Sequence, residues 1–217
     1  MDSDSQKTMT CGVDEAGRGP VIGPMVVSIV CGDPEVFRRI GARDSKALTP
    51  QSREKIFMKI IENSSFHLIK VITASELNSL MDRINLNRIE EEAYSELISK
   101  SPMECEHYVD SFDVDENRLS LKLSGMTGKR VVCRHKADAI YPAVSAASIL
   151  SKVTRDREIE KLRKIHGNLG SGYPADPVTR DFILASLRKG IDLTEIVRTH
   201  WKTYRDILSE SRKTTLF

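Results

Sequence analysis

The sequence predicts a mixed α/β fold, a sheet layer with a helical C-terminal region packed against it. Short runs rich in Val, Ile, Cys and Thr recur through the first 135 residues, helix-length apolar periodicity dominates after about residue 140, and Gly and Pro punctuate the boundaries. No internal repeat or low-complexity linker interrupts this order. With 217 residues, 40% hydrophobic and 29% charged, the chain can bury one sizeable core, which excludes intrinsic disorder.

Residues 9–14 and 25–32 read as two strands joined by a glycine-containing turn, a β-hairpin. Thr49 followed by Pro50 is an N-cap with proline at the first helical position, and Ile56, Phe57, Ile60 and Ile61 then recur at helical spacing to about Glu62. Residues 66–74 return as a strand. A helix is expected over 87–99, with Ile89, Ala93, Leu97 and Ile98 on its apolar face and Glu90, Glu91 and Glu92 turned to solvent. Strands follow at 105–112 and 131–135, then a long helix over 140–165 that Gly167 ends. Its first half carries Ala143, Ser145, Ala146, Ala147 and Ser148, so it can approach a sheet closely; its second half, KVTRDREIEKLRK, is densely charged. Residues 170–177 (GSGYPADP) form a loop, Asp176 and Pro177 open a helix that Gly190 closes, and a last helical stretch follows Asp192.

The longest uncharged apolar stretch, residues 19–32, falls short of the roughly 18–20 residues a membrane helix needs and is broken by Pro20, Gly23 and Pro24. The N-terminal MDSDSQKT has neither the basic nor the apolar region of a secretion signal, so a cytoplasmic protein is expected. Cys11, Cys31, Cys105 and Cys133 show no zinc or redox spacing and read as four buried thiols, which suits that compartment. The net charge of +2 hides an asymmetry: residues 1–128 hold 15 Lys and Arg against 21 Asp and Glu, and residues 129–217 hold 18 against 10. A basic C-terminal part suits a polyanionic partner, although basic solvated helices give the same count.

The sharpest local feature is DEAGRGPVIGP, residues 14–24. Carboxylates at a strand end can hold Mg²⁺ or Mn²⁺, which prefer oxygen ligands. The glycines let backbone N–H groups approach a phosphate or sugar hydroxyl, with Arg18 available to pair a phosphate. A tight turn flanked by ordinary surface charges reads equally well from this motif alone. Neighbouring strand residues point to opposite faces, so Asp14 and Glu15 share a site only where the strand ends. Asp110 follows Tyr108 and Val109 in an apolar strand, and an acid there faces solvent, pairs with a base such as Arg134 or Lys136, or binds a cation. Asp138 precedes the small-residue helix, as an N-cap or as an anion at a helix N-terminus.

Taken together, DEAGRG (14–19), DSK (44–46), the Tyr-Val-Asp strand (108–110), KADAIYPAVSAASILSKVTRD (136–156) and GSGYPADP (170–177) resemble the type 2 ribonuclease H family, ribonuclease HII, in order and spacing from Cys11 to about Trp201. The KADA-x-YP-x-VSAASI form resembles the archaeal and eukaryotic branch, and a short single chain resembles the archaeal enzyme more than the eukaryotic catalytic subunit. The resemblance implies an RNase H-like fold, a mixed five-stranded sheet flanked by helices, organised as a polar tail (1–8), a catalytic core (9–165), a helical region (166–209) and a C-terminal tail (210–217). It implies that Asp14, Glu15, Asp110 and Asp138 are catalytic and hold two divalent cations, Mg²⁺ or Mn²⁺. It also implies that Gly17, Arg18 and Gly19 sense a ribose 2′-hydroxyl, that Lys46, Lys152 and Arg155 contact phosphates, and that Tyr173 assists at the RNA to DNA junction, unless it only packs its loop. The implied substrate is the RNA strand of RNA:DNA hybrids and ribonucleotides embedded in duplex DNA, cut on the 5′ side to leave 3′-hydroxyl and 5′-phosphate ends. The tail SRKTTLF resembles a shortened sliding-clamp peptide, though its leading glutamine and second aromatic are missing. A monomer is expected. Nothing assigns chemistry to His135. The competing readings are a non-catalytic nucleic-acid-binding protein and another RNase H-like nuclease that acts on DNA junctions.

Overall fold

In a computed structural model, which describes residues 9–42 and 48–213, five strands form one mixed sheet in the order β3-β2-β1-β4-β5. They are β1 (Thr10–Ala16), β2 (Met25–Gly32), β3 (Phe66–Ile72), β4 (Glu106–Asp110) and β5 (Val131–Arg134), each where a strand was expected. β1 pairs parallel with β4, Thr10 opposite Glu106 through Val13 opposite Val109, and β4 pairs parallel with β5. The eight residues between β1 and β2 are too few for a parallel crossover, so these two run antiparallel.

The helices are α1 (Pro34–Arg39), α2 (Pro50–Asn63), α3 (Ala74–Met81), α4 (Leu86–Lys100), α5 (Glu116–Thr127), the single turn α6 (Ala137–Ile140), α7 (Pro142–His166), α8 (Pro177–Arg188) and α9 (Lys202–Lys213). Residues form two compact units. The first draws on Met1–Ala16, Val27–Lys70 and Glu90–Val153; the second on Gly17–Val26, Val71–Ile89 and Thr154–Phe217. In the first, Val30, Phe37, Phe57 and Ile60 form one core with Ala143, Ala146, Ala147 and Leu150 of α7. Each such Leu, Ile or Phe contributes roughly 1.5–3 kcal/mol on burial. The small residues of α7 let its first turn lie on β1 so closely that a Cβ on Gly12 would stand 2.1 Å from the Ala143 carbonyl carbon. In the second unit, Val21, Ile22, Ile159, Leu169, Ile183, Val197 and Ile207 form a separate core.

Besides the single turn α6, three helices were not anticipated, α1, α3 and α5, and each of these is started by a cap. Asp33 accepts from the Glu35 N–H, Thr73 and Glu76 form a reciprocal capping box, and Asp115 accepts from the Arg118 N–H before Gly128 closes α5 at φ 68°. The C-terminus of α4 is closed from outside. The buried Lys129 ammonium donates to the carbonyls of Ile98, Ser99 and Ser101 at 2.6, 3.2 and 2.5 Å, which satisfies oxygens the helix itself leaves open.

Two expectations are corrected. Cys11 and Cys31 form a disulfide, with Cα atoms 4.0 Å apart on the neighbouring β1 and β2, so only Cys105 and Cys133 are buried thiols. Spacing along the chain concealed the pair because the hairpin sets residues 20 apart opposite one another. The glutamate run of α4 does not face solvent as a whole: Glu90 and Glu91 are buried, and Glu91 pairs with Lys122 of α5 at 2.6 Å. A paired, hydrogen-bonded acid tolerates burial that a lone one does not. Among the described residues, no helix is long and apolar enough to cross a membrane.

Candidate active site

The parallel register of β1 and β4 places Asp14 one step beyond Val13 and Asp110 one step beyond Val109, so the two acids stand side by side at the carboxyl ends of adjacent strands. Strands in a ladder are about 4.8 Å apart and laterally paired residues point to the same face, so their charges oppose each other. Asp14 is buried, 4% exposed. Burial first, and then the Glu15 and Asp110 carboxylates, push its pKa well above the ordinary range. The Ser148 hydroxyl and the Lys152 ammonium act the other way. Both come from α7, where Lys152 Nζ donates to Ser148 Oγ at 2.7 Å. Ser151, on the same helix, donates to the Asp14 carbonyl at 3.0 Å and shares a second hydrogen bond with the Ser28 hydroxyl at 2.8 Å. The Ala and Ser positions that allow close packing thus also carry hydroxyls to Asp14.

β1 continues to Ala16, yet strand alternation does not part Glu15 from Asp14: the Glu15 carboxylate is the strongest charge acting on Asp14, and both acids, with Asp110, act on Tyr94. The Glu15 carboxylate accepts a short hydrogen bond from the hydroxyl of Tyr94, a fully buried α4 residue. Burial and the Glu15 charge raise the Tyr94 pKa well above the usual phenol range, which keeps the hydroxyl a donor. Asp110 Oδ1 accepts the Ala137 N–H at 2.9 Å, which ties the α6 turn to the end of β4. Asp138 is the next residue. It is 8% exposed and borders a pocket of about 200 Å³ that is also lined by Arg38, Tyr141 and Ser145. The N-cap of α6 is Lys136 at φ 56°, so Asp138 is not the cap. Arg134, a candidate partner of Asp110, pairs with Glu116 at 3.0 Å. The Glu116 carboxylate also accepts the His135 N–H at 2.6 Å.

The structure therefore brings Asp14, Glu15 and Asp110 within electrostatic reach, and joins Asp138 to Asp110 through one peptide. Among the described residues, no three His, Cys, Asp or Glu side chains are gathered as they would be around a bound ion. The donor chemistry still suits a hard divalent cation: the acids are all-oxygen donors, and a counter-charge would relieve the repulsion that raises Asp14.

In the second unit, Gly17 sits at φ 85°, and a Cβ there would lie 2.6 Å from Arg155 Cδ and Nε and from the Pro24 carbonyl. Arg18 Nη2 donates to Asn87 Oδ1 at 2.6 Å. Arg155 is 8% exposed, with its guanidinium carbon 5.6 Å from the centre of the Tyr173 ring, which is itself 47% exposed. The GSGYPADP loop is strapped to the residues after the Gly-Arg-Gly segment, since the Gly172 carbonyl accepts the N–H groups of Val21 and Ile22 at 2.8 and 3.2 Å. Lys46 and the DSK motif lie outside the described residues. Tyr94 and the buried Arg198 were not singled out from the sequence, and Ser148 only as a small residue of the close-packing helix. A buried tyrosine or arginine carries no signal of its own, because its partners lie dozens of residues away.

A mixed five-stranded sheet in this order, with acids at the ends of adjacent parallel strands and a small-residue helix over the central one, defines an RNase H-like nuclease. Comparison with known proteins narrows the class. The family model for ribonuclease HII matches residues 11–204. A ribonuclease HII of Thermoplasma volcanium is 52% identical over 197 residues, which cover 91% of this chain and 92% of that protein. The crystal structure of the ribonuclease H2 of Pyrococcus horikoshii matches with a TM-score of 0.88 and 41% identity, covering 95% of this chain and all of that one. A structure of the PCNA:RNase HII complex of Archaeoglobus fulgidus matches with a TM-score of 0.83 and 41% identity, over 89% and 95% of the two chains. The chain belongs to the ribonuclease HII family and is therefore an endonucleolytic phosphodiester hydrolase of the ribonuclease H type.

Proposed function

We propose that this chain, beyond cutting RNA paired with DNA, incises duplex DNA on the 5′ side of single embedded ribonucleotides and leaves 3′-hydroxyl and 5′-phosphate ends. The observation that supports this most is the pairing of buried Asp14 with half-buried Asp110 at adjacent strand ends, backed by Ser148 and Lys152. Asp14, Glu15, Asp110 and Asp138 would hold two divalent cations, Mg²⁺ or Mn²⁺, which when bound supply charge stabilisation to the attacking and leaving oxygens of an in-line displacement. Tyr94 holds Glu15 in orientation, and Ser148 and Ser151 hold Asp14. Lys46, Lys152 and Arg155 neutralise phosphates, so affinity should fall with salt at a slope of about −0.9 per phosphate contact. The backbone of Gly17, Arg18 and Gly19 reads the 2′-hydroxyl, the group that separates this substrate from DNA, and Tyr173 meets the junction beside it.

The test is cleavage of three labelled duplexes of one sequence: DNA with one ribonucleotide, an RNA:DNA hybrid, and all DNA. Cutting of the first two and not the third is expected in Mg²⁺ or Mn²⁺, with background rates in chelator. Cutting of all-DNA junctions would instead favour a junction nuclease, and binding without cutting a non-catalytic protein.

We further propose that the protein works in the cytoplasm as a monomer and docks on a sliding clamp through residues 210–217. The Archaeoglobus fulgidus relative in complex with PCNA supports the clamp reading. The last four residues of that tail lie outside the described ones. Deleting residues 212–217 should abolish pull-down by the clamp and leave hydrolysis of short duplexes intact, and undiminished pull-down would end the idea.

A further inference from the structure

We infer that Arg198 is a positioning residue for ribonucleotide recognition, aiming the Gly19 amide by taking the carbonyls of Arg18 and Gly23 on the opposite side of the turn. The inference deepens the proposed reading of Gly17, Arg18 and Gly19 as the ribose-sensing segment and rests on it.

Arg198 is wholly buried, and among the described residues no acid acts on it. Its Nε donates to the Gly23 carbonyl at 2.9 Å and its Nη1 to the Arg18 carbonyl at 3.1 Å, while Nη2 has no protein partner. The Trp201 ring lies 4.8 Å from its guanidinium carbon. Burial, together with the charge of Arg155, lowers its pKa to about 9. A buried guanidinium without a counter-ion is costly, and an apolar residue of similar volume would stabilise the fold more. Stability does not account for an arginine here.

What the side chain does account for is the direction of one peptide. A trans peptide is planar, so with the Arg18 carbonyl held by Arg198 the N–H of Gly19 points the other way. Trp201 Nε1 holds the next carbonyl, that of Gly19, at 3.1 Å, and Pro20 contributes no N–H to that peptide. Both carbonyls flanking Gly19 are thereby turned to one side. Gly19 itself is exposed, and a Cβ on it would find only Tyr173 Cε1 within 4 Å, at 3.8 Å. A backbone donor on an exposed glycine beside an exposed aromatic ring suits a ribose hydroxyl next to a base or sugar face.

The arginine is itself fixed. Asn78 of α3 brackets it, donating to the carbonyls of Thr194 and Val197 at 3.0 and 2.9 Å and accepting the Thr199 N–H at 2.8 Å. The Arg198 N–H donates to the Val21 carbonyl at 2.9 Å and the Gly23 N–H to the Ile196 carbonyl at 2.8 Å. Segment 194–199 and turn 21–23 are thus one hydrogen-bonded unit with the guanidinium inside it.

The experiment compares Arg198→Met, Arg198→Lys and Trp201→Phe in the full chain. The readout is equilibrium binding, in chelator so that no strand is cut, to a duplex with one central ribonucleotide and to its all-DNA counterpart. Arg198→Met should lower the ribonucleotide preference about tenfold, as expected for losing a directed hydrogen bond, with all-DNA affinity unchanged. Arg198→Lys, which reaches one carbonyl only, should restore part of the preference, and Trp201→Phe should lose part of it. A folded Arg198→Met that keeps the wild-type preference, or that loses affinity for both duplexes alike, overturns the inference. Should that variant fail to fold, an undiminished preference in both Arg198→Lys and Trp201→Phe overturns it instead. A wild-type protein with no preference would remove the ribose reading itself, and this inference with it; a wild-type preference that survives the substitutions removes this inference alone.

Discussion

Asp14→Asn is expected to reduce cleavage of a duplex carrying one ribonucleotide by about a thousandfold or more, and at the same time to raise the melting temperature of the metal-free protein. The first effect follows from position. Asp14 is the acid at the centre of the set: it is buried, it lies beside Asp110 across the β1–β4 ladder, and it is served by Ser148 and, through Ser148, by Lys152. Removing one preorganised electrostatic group from such a site commonly costs a hundred- to a thousandfold, roughly 2.7–4 kcal/mol, and on the proposed reading, in which Asp14 also holds a cation, the loss belongs at or beyond the upper end. The second effect follows from the same crowding. With no cation bound, burial and the neighbouring carboxylates disfavour the Asp14 charge, so a neutral amide of the same shape relieves both. For a chain of this size each kcal/mol gained moves the melting temperature by about 2–4 °C. The paired measurement is single-turnover cleavage and thermal denaturation in chelator, repeated with Mg²⁺. Wild type should gain stability from the ion and the variant should gain less. Cleavage that persists in the variant would remove Asp14 from the catalytic set. An unchanged metal-free melting temperature would mean that the carboxylates do not strain the fold.

Much of this arrangement was legible in the sequence, because the features that carry it are local. Five apolar runs of strand length became five strands, and the small residues after Pro142 marked a helix that lies close to the sheet. The three unanticipated helices were announced by caps rather than by apolar periodicity, since α1 and α3 have six and eight residues, too short to show a repeat. Thr73 followed by Glu76 and Asp115 ahead of α5 were readable signals that an argument from hydrophobic spacing passes over. The disulfide, the burial of Glu91 and the bracket around Arg198 were not readable. Each depends on a partner brought in by the tertiary fold: Cys31 across a hairpin, Lys122 from another helix, and the carbonyls of Arg18 and Gly23 some 175–180 residues away. The same holds for Glu15. Strand alternation alone would part it from Asp14, and the Tyr94 hydroxyl that bonds it beside Asp14 has no signal in the sequence.

Gly12→Ala should be the most destabilising single-methyl change in the chain, costing about 3 kcal/mol or more in urea denaturation. The added Cβ would lie 2.1 Å from the Ala143 carbonyl carbon and the Val144 nitrogen and 2.3 Å from the Ala143 oxygen, all backbone atoms of α7 that no rotamer change can move. Non-bonded carbons rest about 3.5–4.0 Å apart, so strand and helix must separate by something over an ångström along a seam of buried residues. Overpacking a core by one methylene commonly costs 1–3 kcal/mol even where side chains can yield. The displacement would also reach the site, because Gly12 is two residues from Asp14 on β1, and Ser148 and Ser151, which hold Asp14, are on the helix that is pushed away. Activity per folded molecule should therefore fall along with stability, unlike the pattern for a damaged but distant core position. Gly125→Ala is the control. It lies within α5 with nothing within 4 Å of the new Cβ, so the same methyl there should stabilise by about 0.5–1 kcal/mol through helix propensity alone. If the two substitutions shift the denaturation midpoint alike, close contact between β1 and α7 is not what the small residues of that helix are for.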